Sequence, residues 1–423
     1  MLAAGEGKRL RPFTYTRPKV LIPIAGKPII EHTIINLRES GIRDIIIVVH
    51  YLKEKITEYL GDGTKFGVSI TYVEQPDLLG TGDALLYVEK YLHGSDFLML
   101  YGDLLTHKDN ITCLLSEYKK TNATAIVAGI KVEDVSQFAA IITYDGKKIS
   151  KIIEKPVKGS MNSNIANAGI YIFNDQIFDH LKSTSISERG EVELPDAIQR
   201  MINDGKTVNL IELKKWWIDI GRPWDILEAN KIILKRKSHK IDGFVERGAT
   251  LHGPVIIEKG AIIRSGVYII GPALIMKNAD IGPNTFIRPY TTIGENSRIG
   301  NACEIKNSVL FDNVHIAHLS YVGDSVIGSN VNFGAGTITA NLRLDDKTIK
   351  MTIKGQRIDT RRRKLGAFIG DNVKTGINAM LMPGVIIGNN SAIGPGVVIY
   401  KDVPPNTLVL KKEDIVLKEW KLL

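Results

Sequence analysis

The chain has 423 residues, 55 Lys and Arg against 46 Asp and Glu, 44% hydrophobic and 24% charged residues, and a formal charge of +9. These are the proportions of a folded globular protein, and they exclude wholesale disorder. The length is comfortable for two or three domains. Two cysteines, Cys113 and Cys303, cannot build a disulfide framework or a thiolate metal cage. No apolar run approaches the roughly 18 residues of a membrane span, and Met1 to Arg9 contains no apolar signal core. A cytoplasmic protein is therefore expected, with no membrane partner. The basic residues are spread along the chain, which argues against a nucleic-acid partner.

The first half alternates β-rich and helical patterns. A glycine-rich turn, Gly5-Glu-Gly-Lys-Arg-Leu-Arg-Pro12, precedes Arg17-Pro18-Lys19. Such a turn lets backbone N–H groups approach phosphate oxygens, with Arg9 and Lys19 available to neutralise charge. Ile30, Ile34 and Leu37 recur at helical spacing before Gly41, and the run from Asp44 to Tyr51 reads as a strand buried on both faces. Further strands are expected at 68–73, 97–101 and 125–130, with helices near 52–60, 81–92 and 109–121. Alternation of this kind builds βαβ units and a mostly parallel sheet, with ligands at the carboxyl ends of strands. At those ends stand Gly102-Asp103, Glu154-Lys155-Pro156 and Asp219-Ile-Gly221. Two acids, several cations and a glycine loop suit phosphoryl or nucleotidyl transfer, and Asp103 could hold Mg²⁺.

The second half changes period. Leu251, Ile257, Ile263, Ile269, Ile275, Ile281, Ile287, Ile293, Ile299 and Ile305 follow one another every six residues. Phe311 extends the series, a five-residue step from Val322 to Ile327 interrupts it, and sixes return from Ile369 to Ile399. Neither helix nor alternating strand has this spacing, whereas a hexapeptide β-helix does. Residues 341–365 break the repeat with a polar, basic arm containing Arg361-Arg-Arg-Lys364; it reads as a solvated loop or a ligand arm. The expected division is 1–225 for the α/β domain, 226–242 for a linker helix, 243–402 for the β-helix and 403–423 for a tail. Where the spacing slips stands His318-Leu-Ser-Tyr-Val-Gly-Asp324, with Asn332-Phe-Gly-Ala-Gly-Thr-Ile-Thr-Ala-Asn341 one coil later. Stacking could converge these groups at one edge. An imidazole there could deprotonate an amine attacking a thioester.

The first half resembles the sugar-1-phosphate nucleotidylyltransferases, Rossmann-like enzymes with the pattern seen here in Leu2 to Leu10 and Pro18-Lys19. Gln75-Pro76, Leu79 to Ala84, Gly102-Asp103, Glu154-Lys155-Pro156, Asn167-Ala168-Gly169 and Asp219-Ile-Gly221 match in order. The resemblance implies that Leu2, Ala4, Gly5, Gly7, Gln75, Gly80 and Thr81 bind the nucleotide, UTP or dTTP. It implies that Asp103 and Asp219 bind Mg²⁺, and that Arg9 and Lys19 bind the triphosphate. Ala139, Glu154, Lys155 and Asn167 would hold the sugar phosphate. Two departures stand out: several residues of the family's first strand are missing before Leu2, and Ala139 replaces a family glycine.

Residues 251 to about 400 are similar to the left-handed β-helix acyltransferases. They are closest to the acetyltransferase half of the bifunctional N-acetylglucosamine-1-phosphate uridylyltransferases, archaeal type. This implies His318 as general base, Tyr321, Asn332 and Asn341 near the amino sugar, and Lys347 and Lys350 as further ligand contacts. It also implies a homotrimer with acetyl-CoA as cosubstrate. The resulting expectation is a two-site enzyme that acetylates glucosamine-1-phosphate, or galactosamine-1-phosphate, and transfers UMP or dTMP to the sugar phosphate. A chain ending near residue 235 is expected to keep some uridylyl transfer and to lose the trimer. One alternative is a monofunctional nucleotidylyltransferase whose β-helix only assembles oligomers, which His318, Tyr321 and Asn341 oppose. The other is a non-catalytic regulatory subunit, which intact Asp103, Lys155 and Asp219 oppose.

Overall fold

A computed structural model describes residues 1–157, 159–161 and 163–412; the part of the expected tail after residue 412 lies outside these. The chain divides into two compact units. The first contains Met1–Gly7, Arg17–Ile22 and Lys27–Gly221, and the second contains Lys8–Thr16, Pro23–Gly26 and the chain from Arg222 onward.

In the first unit, strands Leu2–Ala3, Asp44–Val49 and Ser69–Glu74 run parallel, with Leu2 opposite Val48 and Val48 opposite Val73. The apolar run of Asp44–Val49 lies between the other two, as its burial on both faces requires. The first strand is only two residues long, and the Met1 α-amine donates to the Ile46 carbonyl at 2.8 Å. A larger sheet holds Phe97–Leu100, Ala125–Lys131, Ala139–Thr143, Ile149–Glu154, Ile165–Phe173 and Val208–Glu212. It is mixed. Ile165–Phe173 runs antiparallel to both Phe97–Leu100 and Ala125–Lys131, while Val208–Glu212 is parallel to the latter. Helices Lys53–Leu60 and Lys108–Lys119 form where the spacing places them, and the expected helix at 81–92 is broken into Thr81–Leu86 and Glu89–Leu92.

In the second unit, helix Asp225–Leu234 leads into three parallel sheets of eight, nine and eight short strands, wound as one β-helix. Each coil crosses the three sheets in turn, and the isoleucines at hexad spacing fill the interior, Ile257 through Ile305 being fully buried. The inward series departs from the expected one at a single place. Ile293 is followed in its sheet by Leu310, so the step from Ile305 is five residues and Phe311 points away from the interior. Both coils with a five-residue step are one residue short at a corner.

Many of the corners share one conformation. Asn278, Asn284, Asn296, Asn313, Asn330, Asn372 and Asn390 all have φ between 51° and 61°, three residues past an inward side chain. Asn tolerates this left-handed state better than residues without a short polar side chain. Along one edge the amides of Asn313, Asn330, Asn372, Asn390 and Asn406 hydrogen-bond in sequence at 2.9–3.1 Å. The arm is not a solvated loop. Lys350–Ile353 and Gln356–Asp359 form a hairpin, Leu365 N–H donates to Asn341 O at its neck, and Ile349 and Met351 are buried.

Asn330→Ala should lower the unfolding free energy by about 1–2 kcal/mol, the cost of a left-handed residue without a supporting side chain. Asn330→Gly should lose less; equal losses in chemical denaturation would assign the effect to the amide ladder instead.

Candidate functional sites

The first centre is built around one buried ammonium. Lys19 opens a short turn after Pro18 and is only 8% exposed, so its charge needs partners. It donates to the Asp103 carboxylate, and its Nζ lies 3.9 Å from Asp219 Oδ1. Local pairing explains the meeting. Strand Trp217–Asp219 runs antiparallel to Leu104–Thr106, with Asp219 opposite Leu104, and Ile220 N–H donates to Asp103 O. The two acids stand side by side although the sequence separates them widely. Both reach the same cation, so this pair of carboxylates fits a divalent metal of the Mg²⁺ type.

Gln75, 2% exposed, donates through Nε2 to Gly80 O at 3.2 Å and to Asp83 Oδ2 at 2.7 Å. Its amide thereby holds the loop. Leu79–Gly82 is also clamped by Val192, whose N–H donates to Leu79 O and whose carbonyl accepts from Gly82 N–H. Thr81 Oγ1 accepts from Leu194 N–H at 3.3 Å. Gly80 has φ 105°, and a Cβ there would meet the Val192 carbonyl at 2.6 Å, so only glycine fits. Ala4 accepts from Tyr51 N–H, and Gly102 N–H donates to Leu2 O.

Beside this loop, Glu154 is paired with Lys155 at 3.3 Å and with Arg189 at 3.5 Å, and Ala139 lies opposite Glu154 in the sheet. Arg189 also binds Glu193, whose carboxyl is pushed up by burial against the opposing pull of Arg189. Asn167 donates to the Tyr171 hydroxyl at 2.6 Å, and Tyr171 lies 3.1 Å from the Tyr101 hydroxyl. Burial holds both phenols protonated, well above their ordinary range. Arg189 had no motif or period to mark it in the sequence.

Arg9 stands in a segment that packs with the β-helix. Phe13 is fully buried with its ring 5.5 Å from Phe311, and Thr16 Oγ1 donates to Asp371 Oδ2 at 2.6 Å. This is why Phe311 is buried although it faces outward. The second short stretch, Pro23–Gly26, is held likewise. Asn230, fully buried on helix Asp225–Leu234, accepts from Ala25 N–H at 3.0 Å and from Thr292 Oγ1 at 2.8 Å.

The second centre lies on the two short-corner coils. Asp324, 4% exposed, accepts from Lys306 Nζ at 2.7 Å, from Asn307 Nδ2 at 2.7 Å, and from Asn341 Nδ2. Asn341 also donates to the Tyr321 hydroxyl at 3.0 Å. Burial, then the charges of Asp324 and Glu304, pushes the Tyr321 phenol up, which keeps it protonated. His318 ends the strand His315–His318, opposite Asn301, with its side chain exposed. The expected convergence is thus partial. Tyr321 and Asn341 meet, but Asn332 lies opposite His315 on a different sheet from Tyr321. Lys347 and Lys350 are exposed on the arm. Lys306 and Arg288, unmarked by any motif in the sequence, share one column of the sheet that continues to Gly323, next to Asp324. Their signal was the interval of three hexads.

An α/β unit with paired acids at its strand ends, followed by a hexapeptide β-helix, defines a transferase acting on sugar phosphates through nucleotides. The nucleotidyl transferase family pattern matches residues 1–236, the GMPPB C-terminal domain 269–365, and the bacterial transferase hexapeptide 366–401. The chain is 45% identical over 421 residues to the bifunctional protein GlmU of Methanocaldococcus jannaschii, covering 100% of this chain and 99% of that protein. It is 45% identical over 409 residues to a bifunctional sugar-1-phosphate nucleotidylyltransferase/acetyltransferase of Sulfurisphaera tokodaii, covering 95% and 97%. A UDP-glucose pyrophosphorylase solved with UDP-glucose superposes with a TM-score of 0.51 at 27% identity, covering 56% of this chain and 97% of that one. The chain belongs to the bifunctional sugar-1-phosphate nucleotidylyltransferase/acetyltransferase family, and its β-helix is of the left-handed hexapeptide type. It carries nucleotidyl and acetyl transfer in one polypeptide. No helix among the described residues is long and apolar enough to cross a membrane.

Asp324→Ala strands the Lys306 charge in a largely buried place, so it should cost about 3–5 kcal/mol of stability. Calorimetry of the full chain reads this directly; a change under 1 kcal/mol would show that the pair is solvated.

Proposed function

We propose that the chain makes UDP-N-acetylglucosamine in the cytoplasm by two steps. It acetylates glucosamine-1-phosphate from acetyl-CoA, then transfers UMP from UTP to the product with release of pyrophosphate. The observation that carries the second step is the convergence of Asp103 and Asp219 on one ammonium. Bound there, Mg²⁺ supplies charge neutralisation for the triphosphate. Lys19, freed from the carboxylates, and Arg9 take up phosphate charge. Glu154, Lys155 and Asn167 orient the sugar phosphate, and Arg189 extends that cationic edge. Leu2, Ala4, Gly5, Gly7, Gly80 and Thr81 surround the nucleotide, and Gln75 fixes the loop that reads its base. One oxygen of the sugar phosphate attacks the α-phosphorus as the bond to pyrophosphate breaks. Positioning and neutralisation suffice for this displacement, without a general base.

For acetyl transfer, His318 takes a proton from the sugar ammonium's conjugate amine as nitrogen attacks the thioester carbonyl. The C–S bond then breaks and the thiolate of coenzyme A leaves. Tyr321, protonated, and Asn341, held by Asp324, fix the amino sugar, with Lys306 and Arg288 facing its phosphate. Asn332, Lys347 and Lys350 lie on surfaces suited to coenzyme contacts. The exposure of His318 supports a homotrimer in which a neighbouring β-helix completes the coenzyme site.

Asp103→Asn should abolish uridylyl transfer and leave acetyl transfer near normal, while His318→Ala should do the reverse, slowing acetylation by roughly 10²–10⁴-fold. Coupled assays with acetyl-CoA, glucosamine-1-phosphate, UTP and Mg²⁺ separate the two. Joint loss in either variant would show a folding defect, and unchanged acetylation would remove His318 from its role.

The contacts of Phe13 and Thr16 bear on the chain ending near residue 235, which is expected to keep some uridylyl transfer. Ending at Arg236 removes Phe311 and Asp371, so the segment with Arg9 loses its support. Uridylyl transfer should fall by roughly 10²-fold, the scale for a misplaced catalytic group. Full retention of kcat/KM would show that the segment orders itself.

A further inference from the structure

The basic segment 8–16 forms one wall of a cavity of about 550 Å³ within the second unit. Lys8, Arg9 and Arg11 line it from one side, and Lys354, at the tip of the arm hairpin, from another. Arg11 lies over the Tyr15 ring, 4.7 Å from its centroid. The acid lining the cavity, Asp402, spends Oδ1 on the Ile386 N–H at 2.9 Å. Among the described residues, no carboxylate is within ion-pair distance of Arg9, Arg11 or Lys354. Arg9, Arg11 and Lys354 around one opening repel one another, and an anion relieves that repulsion. The walls are fixed beforehand, because the Phe13–Phe311 stack and the Thr16–Asp371 bond hold the segment in place. Two guanidinium groups favour phosphate oxygens, to which arginine presents paired donors. Most of the remaining lining, including Ile353, Val403, Pro404 and Pro405, is apolar and suits an organic body. A volume of this size is that of an ordinary small-molecule site.

We infer that this cavity is a second anion site, for a small polyphosphorylated molecule, separate from the pair Asp103 and Asp219. Because Arg9 lines it, the occupant competes for a residue that the proposed uridylyl transfer uses; this consequence rests on that reading, while the site itself does not. Linkage then requires that the occupant and UTP weaken each other's binding by the same factor. Acetyl transfer carries no such dependence.

The test is equilibrium dialysis of the full chain with inorganic tripolyphosphate as its Mg²⁺ complex. The native chain should bind two equivalents, and Lys354→Glu should weaken one of them at least tenfold. Lys354→Gln should give an intermediate loss. Uridylyl transfer measured without tripolyphosphate should be unchanged in both variants, and intact acetyl transfer shows that they are folded. A single equivalent in the native chain, or two equivalents unaltered in Lys354→Glu, overturns the inference. If UTP displaces neither equivalent but the Lys354-dependent one persists, the cavity stands as an anion site and the uridylyl reading fails instead.

Discussion

The second unit leans on one backbone state, a left-handed residue placed three positions after most of its inward side chains. It turns the chain tightly enough to lay the next strand on the adjacent sheet. Asparagine supplies this state at seven of the corners named above, and glycine does so at Gly336, Gly384 and Gly396. The branched residue inside and the polar residue at the corner are therefore two halves of one period. Interior packing sets the first, and steric freedom sets the second.

The chemistry arises where that period is broken. After Ile305 and again after Val322 the left-handed residue comes two positions on, at Asn307 and Asp324. Dropping one residue draws these two side chains together, with Asp324 almost wholly buried. A carboxylate so placed needs several donors, and Lys306, Asn307 and Asn341 provide them. The amide of Asn341 is then fixed toward the Tyr321 hydroxyl. A lapse in a regular repeat thus becomes a rigid polar arrangement, which is the usual place for function in a locally consistent fold.

Much of the architecture was legible because periodicity reports packing directly. The sixes from Leu251 to Ile305 gave the coils, and the apolar run at Asp44–Val49 gave a central strand. The slip at Leu310 was hidden because Leu310 and Phe311 are both apolar, so counting by six still found a hydrophobic residue. Phe13 was hidden for a different reason. It sits among glycines, arginines and prolines that read as a phosphate-binding turn, and its cover lies on a coil far along the chain. Asp103 and Asp219 were recognisable as motifs, but their meeting follows from antiparallel pairing that neither motif encodes. Cations such as Arg189, Arg288 and Lys306 carry no periodic signature of their own; only the stacked register shows what they face.

The asparagine column has a bearing on how the molecule ages. Loss of the side-chain amide begins when the next backbone nitrogen swings round to attack the side-chain carbonyl carbon. At Asn330, Asn372 and Asn390 the carboxamide is bonded both above and below, which opposes the rotation that this attack requires. Residues that count among the more heat-labile in proteins are here restrained by the same ladder that lines the edge of the coil.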